Sequence, residues 1–320
     1  MNEITSTRSN PFVDPSVHVW HAEVPIYLFL GGLVAGLMVL AGLWRLRAPR
    51  ESSRALTLLP WMVPVLLTVG MLFLWLDLEN RWNAYRFYLT MQPTSPMSWG
   101  SWILLAVYPV SVFVAWVSMP EATRTAIVER APLGGALLSR LETWALARER
   151  TLAWMSIVLG AALGVYTGVL LGTMAARPLW NSAILGPLFL ASGLSSAAAF
   201  LLLHRITDAE RTTIGRLDMG LILVEGLLLV LWLVALRSGG ASSRAAAGLL
   251  LGGPFTAVFW TLVVVMGLAT PVLAEWIEAR HGLRPGRVPA VLVLLGGFAL
   301  RWIVVYAGQE SAILAQTALR

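Results

Sequence analysis

The sequence predicts an all-α integral membrane protein: an eight-transmembrane-helix bundle with both termini outside. Three observations carry that expectation. The chain is 58% hydrophobic and only 12% charged, with a mean hydropathy of +0.74, whereas soluble domains run near a quarter charged. Eight stretches are apolar over about the 20 residues that a bilayer crossing requires, namely 25–46, 55–78, 98–118, 151–174, 183–203, 217–237, 254–277 and 288–306. The charge is also sorted by side. All 23 basic residues are arginine. Fifteen fall in the loops after the first, third, fifth and seventh spans, and seven on the opposite face. The positive-inside rule places the arginine-rich loops in the cytoplasm. So little chain remains outside the spans that residues 1–320 read as a single polytopic membrane domain.

Taken in order, span 1 opens with Trp20-His21-Ala22-Glu23-Val24-Pro25-Ile26-Tyr27, and its Gly31, Gly32 and Gly36 offer a close-packing face. The first 23 residues lack the basic start, apolar core and small-residue cleavage site of a secretory signal, so span 1 is expected to remain in the mature chain. Span 2 ends at Asp77 and Glu79, which read as ordinary interfacial carboxylates or as members of a site. The connection to span 3 carries Trp82, Tyr85, Phe87 and Tyr88. Aromatics at that depth form an interfacial belt or a docking platform for a partner. Between spans 3 and 4, Leu133, Leu137, Leu138, Leu141 and Trp144 have helical spacing; they lie along the interface or belong to a solvated loop that sets topology.

Span 4 carries Gly160, Gly164, Gly168 and Gly172, one every four residues. Such a ridge lets a neighbouring backbone approach closely, and it puts Tyr166 on nearly the opposite side. In span 6, Asp218 and Glu225 are two turns apart and share a face. Glu225 is deep enough that its carboxyl must be protonated, paired or wet, which makes it functional or an interhelical hydrogen-bonding group. Glu275 in span 7 reads as interfacial. Arg301 in span 8 stays protonated, so it either pairs with a buried carboxylate such as Glu225 or Asp77 or snorkels to the outer surface; pairing is the expectation.

Several chemistries are excluded. The sequence pI of about 10.4 records topology rather than a nucleic-acid partner, because the arginines follow the loops. The chain has no cysteine, hence no thiolate ligands for an iron–sulfur cluster or structural zinc. His18 and His21 precede span 1, His204 ends span 5 and His281 lies in a loop, so two imidazoles facing each other across a membrane haem are not expected.

The chain resembles the NrfD/PsrC family of polytopic quinone-reactive subunits of bacterial respiratory complexes. The likeness runs over almost the whole length and rests on four strings: Pro25-Ile26-Tyr27-Leu28-Phe29-Leu30-Gly31-Gly32; Ser95-Pro96-Met97-Ser98-Trp99-Gly100-Ser101-Trp102; Tyr166-Thr167-Gly168-Val169-Leu170-Leu171 with Pro178-Leu179-Trp180-Asn181; and Leu300-Arg301 with Tyr306-Ala307-Gly308-Gln309. The resemblance implies a bacterial inner (cytoplasmic) membrane subunit with no haem or cluster of its own. Menaquinone or ubiquinone binds near the outer surface as substrate, and electrons pass to or from a ferredoxin-like iron–sulfur subunit docked there. This iron–sulfur partner connects in turn to a catalytic molybdopterin or multihaem cytochrome subunit. The quinone site it implies uses the start of span 1, His21 to Tyr27, and Tyr166. Tyr27 stands where some relatives carry histidine, and His21 is the alternative hydrogen-bond partner.

The residues themselves fit that chemistry. Quinone turnover needs an apolar slot, donors to two carbonyl oxygens and exchange of two protons. Tyr27 and Tyr166 supply donors, and His21 and Glu23 titrate in a useful range; with Asp77 these form the candidate quinone-binding set. Asp218 and Glu225, with Arg301 tuning Glu225, form a candidate proton route from the cytoplasm. A redox-inert anchor needs neither Glu225 nor Arg301. A secondary transporter would show matching interrupted halves, and Pro60, Pro64 and Pro271 do not supply them.

Overall fold

A computed structural model describes residues 20–47, 53–130, 135–282 and 286–311. Arg8, His18, Arg50, Leu133, Arg284 and Arg320, used in the readings above, lie outside the described residues. Eight of its helices are long and apolar enough to cross a membrane: α1 (Glu23–Arg47), α2 (Ala55–Asp77), α3 (Pro96–Ser118), α4 (Glu149–Gly172), α5 (Leu185–Leu202), α6 (Asp208–Ser238), α7 (Thr256–Glu278) and α8 (Arg287–Glu310). No strand occurs among the described residues. Each span covers its predicted stretch to within a few residues except α6, which starts at 208 rather than 217. Its start is fixed by a capping box: the Glu210 N–H donates to Thr207 Oγ1 (3.3 Å) and the Thr207 N–H to Glu210 Oε2 (2.8 Å).

The bundle is built around α5. In α5, 78% of the span is buried, against 22% in α7 and 28% in α2 and α6. Helices α1, α4, α6 and α8 all pack on it. Apolar burial drives little association between helices in lipid, so close backbone approach must do the holding, and small residues line these contacts. A Cβ on Gly36 of α1 would overlap the Gly193 carbonyl of α5. The α4 ridge does what its spacing predicts: Gly160 faces Ala35, Gly164 faces Leu190 and Gly168 faces Gly186. The expectation for α1 needs one correction. Gly32 and Gly36 are tightly covered, but nothing lies within 4 Å of a Cβ placed on Gly31.

One further feature departs from the sequence reading, and one settles an alternative it left open in favour of a helix. Helix α7 is π-helical from Phe259 to Ala269, with the Thr270 N–H reaching back to the Val265 carbonyl; an i→i+5 stretch changes which residues of the following α turns face the bundle. The stretch after α3 forms a short helix, Gly135–Ala147, with Leu137, Leu141 and Trp144 exposed.

The two ends of the bundle differ. At one end, the start of α1 is tied to the end of α8: the Trp20 N–H donates to Gln309 Oε1 (2.9 Å) and Gln309 Nε2 to the Trp20 carbonyl (3.1 Å). The Trp20 and Trp180 rings pack 5.0 Å apart, and Trp180 Nε1 donates to the Val304 carbonyl (2.7 Å). The other, arginine-rich end holds the ion pairs Arg45–Glu149 (2.6 Å) and Arg124–Glu142 (2.8 Å). It also holds an open groove of about 920 Å³ lined by Leu40, Trp44, Leu59, Val117, Ile214 and Leu217 among others.

Candidate functional site

The strings that carry the family resemblance are scattered in sequence but meet at the aromatic end. Tyr27 projects from the first turns of α1, within electrostatic reach of Tyr166 on α4 and Tyr88 in the connection between α2 and α3. Tyr166 is 7% exposed. It points away from the glycine ridge and onto α3, where its phenol covers Gly100 so closely that any Cβ there would overlap the ring and its hydroxyl. Gly100 is therefore required by the tyrosine, a role the sequence reading did not assign. Tyr88 is held over the site by the first turn of α3. Ser101 Oγ donates to the Phe87 carbonyl (2.8 Å), Ser98 Oγ to the Thr90 carbonyl (3.3 Å), and the Gln92 N–H to Ser98 Oγ (3.0 Å). Burial, with a smaller contribution from Tyr108, pushes the Tyr88 phenol above its ordinary value, so it stays a neutral donor. The hydroxyls of Tyr27, Tyr88 and Tyr166 have no hydrogen-bond partner among the described residues.

A second group lies beside the first. Asp77, at the end of α2, is within electrostatic reach of Glu23 and His21 at the start of α1. His21 is exposed, while Glu23 and Asp77 are half-buried. Glu23 Oε2 is itself buried without a donor. The five residues expected to bind quinone thus fall into a phenolic pair, Tyr27 and Tyr166, and an acid–base trio, His21, Glu23 and Asp77. Around them the connection from α2 to α3 exposes Trp82, Tyr85, Phe87, Leu89 and Met91.

The interior polar residues form a separate file along α5. Arg301 is 0% exposed. Its Nη1 donates to Ser192 Oγ (2.5 Å) and the Gly297 carbonyl (2.9 Å), its Nη2 to the Phe189 carbonyl (3.0 Å), and its guanidinium sits over the Phe189 ring at 5.2 Å. The expected direct pairing with Glu225 or Asp77 is corrected. Among the described residues no ion pair joins Arg301 to a carboxylate; the Ser192 hydroxyl stands between Arg301 and Glu225 and interacts with both. The guanidinium spends both Nη groups on Ser192 and on α5 and α8 carbonyls because both helices lie against it, and Glu225 is within its electrostatic reach without direct contact. Asp77 is at the aromatic end with His21 and Glu23.

Asp218 and Glu225 do share one face, with Ile222, Leu229 and Trp232 on the same buried stripe. Asp218 is 0% exposed and accepts from Ser195 Oγ at 3.0 Å. Glu275, read as interfacial, is instead 5% exposed, and its carboxyl is within hydrogen-bonding reach of Asp218. Sequence reasoning therefore missed Glu275, Ser192 and Ser195. The serines carried a signal, since Ser192, Ser195 and Ser196 recur at three- and four-residue spacing on one helix face.

Comparison with known proteins gives the family. The sequence profile of the family described as "Polysulphide reductase, NrfD" matches residues 9–312. The chain is 32% identical to the C component of the polysulfide reductase of Wolinella succinogenes, over 91% of this chain and 94% of that relative. It is also 32% identical to the protein NrfD of Escherichia coli, over 91% and 95%. The C component of a selenate reductase from Mesobacillus selenatarsenatis is 25% identical over 89% of this chain and 73% of its own length. The chain belongs to the NrfD family and is a multi-pass membrane protein.

Proposed function

With family membership as the premise, we propose that this chain is the quinone-reactive membrane subunit of a respiratory oxidoreductase complex in a bacterial inner membrane. The observation that carries the reading is the pair of phenols on α1 and α4, Tyr27 and Tyr166, close together with hydroxyls that have no hydrogen-bond partner among the described residues. A quinone ring presents two carbonyl oxygens on opposite edges, and two neutral donors on facing helices match that demand. Both the ground state and the hydroquinone accept or donate at these hydroxyls without burying a charge. Oxidation of a quinol releases two electrons and two protons. The protons leave through Glu23, Asp77 and the exposed His21. The electrons pass to an iron–sulfur subunit seated on the exposed aromatic segment around Trp82 and Phe87, and from it to a molybdopterin or multihaem catalytic subunit. Menaquinone or ubiquinone is the substrate, and the reverse direction uses the same groups. Asp218, Glu225 and Arg301 form a proton route from the arginine-rich side.

A redox-inert anchor is the second reading. Burying Arg301 and Glu225 in hydrocarbon is costly, and an anchor gains nothing from them. Quinol turnover by the intact complex separates the two. Tyr166→Phe removes one donor and is expected to lower quinol turnover about tenfold, the equivalent of roughly 1.4 kcal/mol, while activity with an artificial dye donor is retained. Unchanged quinol turnover in both Tyr166→Phe and Tyr27→Phe supports the anchor.

A further inference from the structure

At the arginine-rich end of the interior file, two acids from facing helices meet. Asp218 comes from α6 and is 0% exposed; Glu275 comes from the last turns of α7 and is 5% exposed. Asp218 Oδ1 accepts from Ser195 Oγ at 3.0 Å. Among the described residues the remaining three oxygens, Asp218 Oδ2 and both oxygens of Glu275, are buried and meet no N–H or O–H donor, although the two carboxyls are within hydrogen-bonding reach of each other. Two ionised carboxylates so placed would repel. The groups facing the pair do not neutralise it. From α5 comes the Ser195 hydroxyl; along α6 the next acid is Glu225; along α7 it is Glu278. On α8 the nearest cation described in the file, Arg301, is committed to Ser192, Gly297 and Phe189. Like charges at contact in a low-dielectric interior are not both sustained.

We propose that Asp218 and Glu275 hold a single proton between them and act as the loading station through which protons enter the bundle from the arginine-rich side. This rests on the quinone-reactive reading above and adds Glu275 to its proton route. The geometry supplies both neighbours of such a station. On the outward side is Glu278, about one turn along α7, half-buried, with its carboxylate accepting from the Gly286 N–H (3.0 and 3.1 Å). On the inward side, Ser195 is followed one turn away on the same face of α5 by Ser192, which touches both Arg301 and Glu225. Nothing is oxidised at the station. A proton from water enters, the shared proton moves on through the Ser195 hydroxyl, and the pair returns to one proton and one negative charge.

The test uses the assembled complex. Infrared spectroscopy at neutral pH in H2O and D2O is expected to show a protonated-carboxyl C=O stretch that shifts on deuteration and disappears in both Glu275→Gln and Asp218→Asn, because removing either acid leaves the other to stand alone. Proton uptake from the arginine-rich side during quinone reduction, read in proteoliposomes with a pH-sensitive dye, is expected to fall about a hundredfold in Glu275→Gln and to be unchanged in Glu129→Gln, at an exposed position of the same end. Glu275→Gln keeps the side-chain shape and offers Asp218 an amide donor. Should it nevertheless fail to assemble, deuteration and sodium titration of the wild-type band alone decide. No protonated carboxyl at neutral pH, a band that survives in either variant, or one that appears only when Na⁺ is withdrawn would overturn the shared proton; the last would assign the pair to a cation. The infrared result needs no quinone. Its failure leaves the phenolic site standing, whereas unchanged quinol turnover in the tyrosine variants removes that site and leaves the band untouched.

Discussion

At the aromatic end the polar groups are phenols beside a half-exposed acid–base trio; along α5 they are a buried arginine and buried acids, set among serines. Tyr166 is held by shape, its ring covering Gly100, and its hydroxyl has no hydrogen-bond partner among the described residues. Arg301 is held by three hydrogen bonds to α5 and α8. The contrast follows from what each region must do in hydrocarbon. A site that receives a polar molecule keeps its donors unspent, which is cheap when they are uncharged. A permanent cation needs most of its donors satisfied, because an uncompensated buried charge is strongly destabilising; among the described residues Arg301 Nε is left without a partner.

The largest way to break the contrast is Arg301→Leu. It leaves Glu225 with Ser192 alone, and a loss of about 3–5 kcal/mol is expected, read as failure of the protein to assemble or as a lowered unfolding midpoint in detergent. Arg301→Lys should recover only part, since one ammonium cannot reproduce donors to Ser192, Gly297 and Phe189 at once. Next comes the aromatic end. Gly100→Ala pushes the Tyr166 phenol aside, and quinol turnover is expected to fall about a hundredfold, with assembly and dye-donor activity close to wild type. If Gly100→Ala damages assembly as severely as Arg301→Leu, the two regions do not divide into a positioning site and a structural file.

Smaller effects sharpen the comparison. Ser192→Ala leaves Arg301 Nη1 with the Gly297 carbonyl alone and removes the link to Glu225, and about 1–3 kcal/mol of stability is expected to go with it; the same change at the exposed Ser139 should be near neutral. Smallest is Thr207→Ala, which removes the capping box of α6 and is expected to lower stability by about 1 kcal/mol without moving quinol turnover, because the cap lies at the arginine-rich end.

The sequence carried the bundle well, because a bilayer imposes one length and one composition on every span. The α6 boundary was misplaced because the apolar run begins after the helix does; Thr207-Asp208-Ala209-Glu210 held the true start in its capping pattern. The shared face of Asp218 and Glu225 and the direction of Tyr166 both follow from helical periodicity within one element, so they were legible. What was not legible lies between elements. The Ser192 relay depends on how α5 meets α6 and α8. The burial of Glu275 depends on how α7, π-helical from Phe259 to Ala269, docks on α6. Gly100 looked like one more small residue until α4 laid Tyr166 across it.

The central claim, that quinone is handled at the aromatic end, is tested most directly by photolabelling the intact complex with an azido-quinone and mapping the modified peptides. The account predicts label on the start of α1 around Tyr27, on α4 around Tyr166 and on the first turns of α3, with labelling lost when a natural quinone competes. Competed label confined to the groove at the opposite end, on peptides carrying Leu40, Trp44 or Leu217, would contradict it.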